Sequence, residues 1–212
     1  MYMMDENRIF YQNNEIPFDQ LQYDRKLSEG GYGIVYRGRW KYTTVAIKEI
    51  KKEIIEQDKL EEFKNECAVM EVIRHPNIVL FLGACTKAPN LCIVLEYCSG
   101  GELFFHLSRF RKFPEHVARF YAAELALAIE FLHGQGVIYR DMKPENVLLD
   151  SEGHVKLGDF GLAKDNIWDP CQGAKSICGT PEYMAPEVLN KVGHGHSVDW
   201  WGLGMILYEM LT

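Results

Sequence analysis

The octet YRDMKPEN at positions 139–146 holds the densest set of side chains that could carry chemistry. Asp141 could orient a hydroxyl and accept its proton, and Lys143 could neutralise charge on a phosphate during its transfer. Asn146 and Asp159 offer the oxygen ligands that Mg²⁺ prefers, and Mg²⁺ needs few protein oxygens when phosphates supply others. Each short motif alone also fits a polar surface turn. The octet together with an Asp-Phe-Gly triplet that begins at Asp159 leaves that alternative negligible.

A glycine cluster lies upstream of these residues. Gly30, Gly31 and Gly33 come just before Ile34 and Val35. Glycines let backbone N–H groups approach a phosphate more closely than a Cβ would allow. The same cluster is also typical of a plain turn between strands, so phosphate binding needs support from other residues.

A lysine and a glutamate supply that support. Lys48 ends the apolar run VAIK, where strand alternation puts it on the same face as Ala46. Glu66 falls within about 60° of Phe63 and Met70 on the apolar stripe of a predicted helix. A carboxylate there must be paired, and Lys48 is the natural counter-charge. The alternatives are a lysine on an edge strand and a glutamate at the edge of the stripe, each reaching water.

Composition restricts the class of protein. The chain has 212 residues, 47% of them hydrophobic, which suffices for a buried core. Its net charge of −7 disfavours nucleic acid as a partner and would suit a basic peptide. We find no secretory signal and no apolar run of about 18 residues, so no membrane is expected. The six cysteines lack CxxC or zinc spacing, which indicates reduced thiols in the cytoplasm, with the nucleus possible.

The elements that position these residues fall into two parts. Residues 1–22 are polar and are expected to be a loosely packed lead-in. In residues 23–97 we predict strands at 34–36, 44–50, 78–83 and 91–95 and one helix at 58–73. Residues 98–101 are expected to be a hinge. Beyond it we predict a helix between 114 and 134, a hairpin of 147–149 with 155–157, a long loop at 162–182 and a final helix at 198–211.

In their order along the chain, these motifs resemble the serine/threonine protein kinases over residues 23–212. Lys143 and the pair Gly179-Thr180 resemble the serine/threonine branch. The resemblance implies a two-lobed α+β fold with a strand-rich N-lobe (about 23–97) and a helical, C-terminally incomplete C-lobe (about 98–212). The N-lobe resembles the tyrosine-kinase-like group, and the C-lobe resembles the AGC group.

The resemblance implies ATP and Mg²⁺ as cofactors and a protein substrate that carries Ser or Thr. The roles it implies are Lys48, steadied by Glu66, on the α- and β-phosphates, Asp159 and Asn146 on Mg²⁺, Asp141 on the hydroxyl and Lys143 on the γ-phosphate. The nucleotide site would comprise Ser28, Gly30, Gly31, Gly33, Val35, Ala46, Lys48, Leu95, Glu96, Cys98, Glu102, Glu145 and Leu148. Met70, Phe81, Tyr139 and Phe160 would form a stacked spine. Asp199 would anchor the backbone of the catalytic loop, or simply favour a helix N-terminus, and both can hold.

Two finer expectations follow from the resemblance. Ser176 occupies the position that an upstream kinase would phosphorylate, and its phosphate could pair with Arg140 and also with Lys164. The other interpretation of Ser176 is an ordinary loop serine. Glu102, Glu145 and Glu209 match positions that read basic residues N-terminal to the target hydroxyl, although each could be a solvated acid.

The sequence also departs from the family pattern. Ser28 replaces the first glycine of the phosphate loop. Family members continue beyond the helix that contains Asp199, so we expect an incomplete C-lobe that lacks the usual arginine partner of Glu187. The alternative function is therefore an inactive, pseudokinase-like nucleotide-binding or scaffolding domain. A dinucleotide-binding oxidoreductase is excluded because a strand, and no βαβ unit, follows the glycines.

Overall fold

The computed structural model describes residues 14–30, 33–51, 60–86 and 91–212, without the side chains of residues 60–62. The chain divides into two compact units, Met1–Glu71 with Phe81–Tyr97 and Val72–Leu80 with Cys98–Thr212. The first unit is rich in strands and the second in helices, so the α+β fold expected from the sequence is confirmed. Within the described ranges, no helix combines the length and apolarity needed to cross a bilayer.

The first unit is built on a five-stranded antiparallel sheet in the order β1-β2-β3-β5-β4. The strands are β1 (Leu21–Glu29), β2 (Gly33–Trp40), β3 (Thr43–Ile50), β4 (Phe81–Cys85) and β5 (Cys92–Glu96), and the helix is α1 (Leu60–Val72). A short 3₁₀ helix, Phe18–Gln20, precedes β1. Burial alternates along the middle strand, β3, as predicted. Val45 and Ile47 are fully buried, whereas Ala46 is partly exposed.

Two predictions for this unit need correction, and one strand was not predicted. The loose lead-in is wrong for residues 14–22, because Ile16 and Leu21 are buried in the core and the Ile16 N–H donates to the Ala84 carbonyl at 2.9 Å. Residues 1–13 lie outside the described part. The strand predicted at 78–83 begins only at Phe81, since Ile78 makes an isolated bridge to Leu157 within the second unit. Strand β1 was not predicted, because its run of charged residues hides any apolar alternation.

The second unit combines a small sheet with four helices among its described residues. Its elements are β6 (Gly101–Glu102), α2 (Leu103–Phe110), α3 (Glu115–Gly134), β7 (Val147–Leu149), β8 (Val155–Leu157), α4 (Pro186–Leu189) and α5 (Ser197–Leu211). Short 3₁₀ helices occupy Pro144–Asn146 and Pro181–Tyr183. The predicted hairpin is confirmed as β7 and β8. The helix predicted between 114 and 134 is confirmed as α3, which buries Leu125, Ala128 and Leu132.

Candidate functional site

An ion pair in the first unit joins the strand lysine to the helix glutamate. The Lys48 Nζ lies 2.7 Å from the Glu66 Oε1, and the side chains are 11% and 1% exposed. Lys48 is on β3, the middle strand of the sheet, and Glu66 is 2% exposed as a whole residue. Both alternative interpretations, an edge-strand lysine and a water-facing glutamate, are therefore wrong.

The predicted apolar neighbours of Lys48 share its face of the sheet. Val35 on β2 lies directly opposite Lys48, and Ala46 lies opposite Leu95 on β5. Directly opposed residues in antiparallel strands point to the same face, and so do residues two apart on one strand. The sheet thus places an ammonium group beside a row of small and branched apolar side chains, which suits a flat aromatic ring next to charged phosphates.

The glycine cluster forms the connection between β1 and β2. The Gly30 N–H donates to the Gly33 carbonyl at 2.9 Å, which closes the turn. A Cβ on Gly33 would lie 2.4 Å from the Glu49 carbonyl oxygen, so glycine is required there. Ser28 is exposed on β1 and pairs with Val35. Gly31 lies outside the described residues.

The other residues expected around the nucleotide are divided between the two units. Glu96 follows Leu95 at the end of β5 in the first unit. In the second unit, the Cys98 carbonyl accepts from the Gly101 N–H at 3.4 Å, and Leu148 on β7 lies opposite Glu102 on β6. Their roles toward a nucleotide stay predictions.

In the second unit, a carboxylate is held by three polar side chains. The Asp141 Oδ2 lies 2.8 Å from the Lys143 Nζ, and the Asn146 Nδ2 donates to the same oxygen at 2.8 Å. The Thr180 Oγ1 donates to the Asp141 Oδ1 at 3.2 Å. Asp141 is only 7% exposed. These contacts fix the direction of a carboxylate that could accept a proton.

Asp199 holds the backbone that carries Asp141. Its Oδ2 accepts from the Tyr139 N–H at 2.9 Å, and its Oδ1 accepts from the Arg140 N–H at 2.8 Å. Asp199 is 1% exposed and lies in the first turn of α5, so the anchoring role and the favourable helix position both hold. Farther along α5, a Cβ on Gly202 would lie 2.5 Å from the Met142 Cβ. Glycine there lets the helix closely approach the loop that carries Asp141.

Asn146 and Asp159 form a candidate Mg²⁺ site. The Asn146 Nδ2 donates to the Asp141 carbonyl and carboxylate, at 2.8 Å in each case, so its amide oxygen is the atom that can face a cation. The Gly158 N–H donates to the Asn146 carbonyl at 2.9 Å, which brings the residue before Asp159 beside Asn146. In the described part of the chain no group of three or more His, Cys, Asp or Glu could bind a metal. Two oxygen donors still fit Mg²⁺, which takes its remaining ligands from phosphates and water.

Two non-glycine residues of this site have left-handed backbone. Arg140 has a φ of 71° and Asp159 a φ of 50°. Such conformations are uncommon outside glycine and are concentrated at functional sites. Beside them, the rings of Tyr139 and Phe160 meet edge to face at 5.2 Å and are almost fully buried. These two rings are the part of the predicted spine that lies in the second unit.

Arg140 also contacts the loop that contains Ser176. The Arg140 Nη1 donates to the Ser176 Oγ at 2.7 Å, and its Nε donates to the Leu162 carbonyl at 2.7 Å. Burial lowers the pKa of Arg140, although the guanidinium stays charged. Ser176 is exposed, so a hydroxyl open to modification lies beside a fixed cation. Lys164 donates to the Gly173 carbonyl at 3.4 Å.

The three glutamates predicted to read basic residues have different surroundings. Burial, followed by the nearby Glu145 carboxylate, raises the pKa of Glu102. Glu145 has a buried Oε2 without a hydrogen-bond partner among the described residues. Glu209 accepts from the Tyr183 hydroxyl at 2.6 Å. Glu187, the fourth acid discussed above, accepts from the Ser197 hydroxyl at 3.0 Å.

Sequence reasoning missed two residues of this site. Thr180, besides its bond to Asp141, accepts from the Lys143 Nζ at 3.0 Å. The His133 Nε2 lies 2.8 Å from the Asp199 Oδ2 and so supports the anchor of the catalytic loop. Thr180 was noted only as part of a branch signature, and His133 was not singled out. None of these contacts has a local signal, because each partner lies at least 37 residues away.

Comparison with known proteins agrees with this geometry. The model of the protein kinase domain family matches residues 21–212. The chain is 46% identical over 200 residues to the human RAC-beta serine/threonine-protein kinase, and 45% identical over 189 residues to the RAC family serine/threonine-protein kinase homolog of Dictyostelium discoideum. These alignments cover 93% and 88% of this chain. The chain spans only 41% and 43% of the length of those two relatives.

Proposed function

Because the chain belongs to the protein kinase domain family, we propose that it transfers the γ-phosphate of Mg-ATP to Ser or Thr hydroxyls of protein substrates. The observation that carries the proposal is the Asp141 carboxylate, held by Asn146, Lys143 and Thr180 at 2.8 to 3.2 Å. A carboxylate oriented by three donors, one of them a lysine, is suited to receive the proton of an attacking hydroxyl. The names of the relatives also support the serine/threonine class.

In this proposal the residues of the second unit prepare the attack. Asp141 accepts a hydrogen bond from the substrate hydroxyl and takes up its proton as the oxygen attacks phosphorus. Lys143 stabilises the negative charge of the phosphoryl group in transfer. Asp159 and Asn146 would hold Mg²⁺, which when bound neutralises charge on the phosphates.

The residues of the first unit bind the nucleotide. Lys48 would contact the α- and β-phosphates. Glu66 holds the lysine side chain in place, because its Oε1 accepts from the Lys48 Nζ at 2.7 Å. The apolar face that carries Val35, Ala46 and Leu95 would contact the adenine ring. Because the transition state of phosphoryl transfer requires little covalent chemistry from the protein, positioning and charge supply most of the rate gain.

The test of this proposal is phosphotransfer from labelled ATP to a Ser- or Thr-containing peptide. Asp141→Asn should lower kcat by about 10²- to 10⁴-fold, the usual contribution of a general base, with ATP binding retained. Thermal shift with Mg-ATP measures that binding separately. Binding without turnover in the wild type would instead support the pseudokinase-like alternative. Absence of both would contradict the nucleotide site.

We further propose that phosphorylation of Ser176 by an upstream kinase raises activity. The Arg140 guanidinium, 2.7 Å from the Ser176 hydroxyl, would form a charge-assisted pair with the phosphate. Ser176→Ala should then prevent activation by treatment with an activating kinase. The control is Ser151→Ala, a substitution at another exposed loop serine, which should leave that activation intact. Equal activity of both variants after that treatment would contradict the proposal.

We also propose that substrates carry basic residues N-terminal to the target. The buried Oε2 of Glu145, which has no hydrogen-bond partner in the described part of the chain, and the raised pKa of Glu102 indicate acids that would gain from an incoming cation. A peptide series with Arg, Gln or Glu at these positions measures the preference. Glu145→Gln should reduce the advantage of Arg over Gln, and an unchanged ratio would remove the hypothesis.

A further inference from the structure

Two thiols lie directly opposite each other in the sheet of the first unit. Cys85, the last residue of β4, pairs with Cys92, the first residue of β5. Directly opposed residues of antiparallel strands share a face, with Cα atoms about 4.5 to 5.5 Å apart. A disulfide needs a Cα separation of about 4.4 to 6.8 Å, so the register of the strands satisfies it. Both thiols are reduced in the structure.

The surroundings distinguish the two thiols. Both belong to the apolar cluster that contains Ile16 and Leu21, and they are 3% and 0% exposed. The Cys92 thiol donates a hydrogen bond to the Cys85 sulfur, and this bond lowers the pKa of the Cys85 thiol. The contact with Cys85, and then burial, raises the pKa of Cys92. Cys85 is therefore the thiol that ionises more readily, and Cys92 is a neutral thiol in contact with it.

The position of β4 gives a route for a small reagent. It is the last strand in the order of the sheet, and on that side the Ala84 backbone bonds, among the described residues, to the backbone of residues 14 and 16, at 3.0 and 2.9 Å. Outer strands open locally at a lower free energy than the whole domain. Such an opening would expose Cys85, which immediately follows Ala84, before it exposed the more interior β5.

We propose that Cys85 and Cys92 are a site of reversible disulfide formation, with hydrogen peroxide as the oxidant. The Cys85 thiolate attacks one peroxide oxygen, the O–O bond breaks, and the departing hydroxide takes a proton to become water. The Cys92 sulfur then attacks the sulfenic acid on Cys85, the S–O bond breaks, and the hydroxide leaves as a second water with the Cys92 proton. Two thiols lose two electrons and two protons, and one peroxide is reduced to two waters. A dithiol reductant reverses the reaction.

The disulfide would tie the outer strand to its neighbour. It closes a short loop across residues 86–91, and a cross-link of this kind restricts the opened state of the two strands. Amide hydrogen exchange in β4 should therefore slow by roughly tenfold or more on oxidation, if exchange there occurs by local opening. The Ala84 amide, which donates to the Asn14 carbonyl, reports this most directly.

The experiment is a peptide map of the peroxide-treated chain after alkylation of the remaining thiols, without reductant. Trypsin cleaves after Lys87, which separates the two cysteines. A second digestion with a glutamate-specific protease cleaves after Glu96, which separates Cys92 from Cys98. A peptide pair joined through Cys85 and Cys92, lighter by two hydrogens and split by dithiothreitol, is the expected result. Its yield should rise with peroxide concentration.

Matched variants make the result decisive. Cys85→Ala and Cys92→Ala should each abolish the cross-link, and Cys171→Ala, at an exposed thiol, should leave its yield unchanged. If an alanine variant fails to fold, the peptide map of the wild type still tests the proposal, because that map requires no substitution. Alkylation of both thiols in peroxide-treated wild type, under conditions that oxidise Cys171, would overturn the proposal, and so would pairing of Cys85 with any cysteine other than Cys92.

Discussion

Removal of either partner of the Lys48–Glu66 pair should destabilise the first unit, and removal of both should restore much of the lost stability. The two side chains are 11% and 1% exposed, so a single substitution leaves a charge in a site that water hardly reaches. Loss of one partner of a buried pair costs about 3 to 5 kcal/mol, whereas replacement of both by apolar residues is often neutral or stabilising. For a chain of this size, that cost corresponds to a drop in Tm of about 6 to 20 °C.

The assay compares Lys48→Met, Glu66→Met and the double variant by thermal and urea unfolding and by phosphotransfer. Both single variants should melt at lower temperature than the wild type, and the double variant should melt above each of them. All variants that lack Lys48 should be inactive, which separates the structural role of the pair from the role proposed for Lys48 in nucleotide binding. Lys51→Met is the matched control, because Lys51 forms a surface pair with Glu29 at 2.8 Å and should shift Tm very little. A double variant no more stable than Lys48→Met would refute the reasoning.

Three further predictions test the anchor, the N-terminal segment and the acidic pair. Asp199→Asn should abolish most activity and lower the free energy of unfolding by about 1.5 to 3 kcal/mol, measured in urea, because the lost carboxylate accepts two backbone N–H groups. Asn14→Ala removes a 3.0 Å bond to Glu71 on α1 and should cost about 0.5 to 1.5 kcal/mol, with faster amide exchange in that helix and unchanged exchange in α3 as the control. Because burial and the Glu145 carboxylate raise the pKa of Glu102, the KM for an Arg-containing peptide should rise as the pH falls through that pKa, at a higher pH than for an ordinary glutamate. Glu145→Gln should move this transition in KM to lower pH, and a transition that does not move would contradict the assigned cause.

The motifs predicted the site better than they predicted the elements around it. The Lys48–Glu66 pair follows from a lysine in an apolar strand and a glutamate on an apolar stripe, both of which are local patterns. Strand β1 was missed because its charged residues hide the apolar alternation. Helix α2 was also not predicted, although its buried residues Leu103 and Leu107 have helical spacing. The strand expected at 78–83 was displaced because the residues on either side of Ile78, Asn77 and Val79, bond with the backbone of Leu157, a partner that no local pattern identifies.

The sequence by itself determined the types of the reactive groups and the strands and helices that carry most of them, because side-chain chemistry and periodicity depend on near neighbours. Only the tertiary structure decided which distant groups meet. Thr180 reaches Asp141 across 39 residues, and Asn14 reaches Glu71 across 57. The opposition of Cys85 and Cys92 likewise depends on strand register, since a slip of one residue would turn one thiol to the other face. Register and long-range contacts are set by the packing of the whole unit, and a local stretch of sequence does not contain that information.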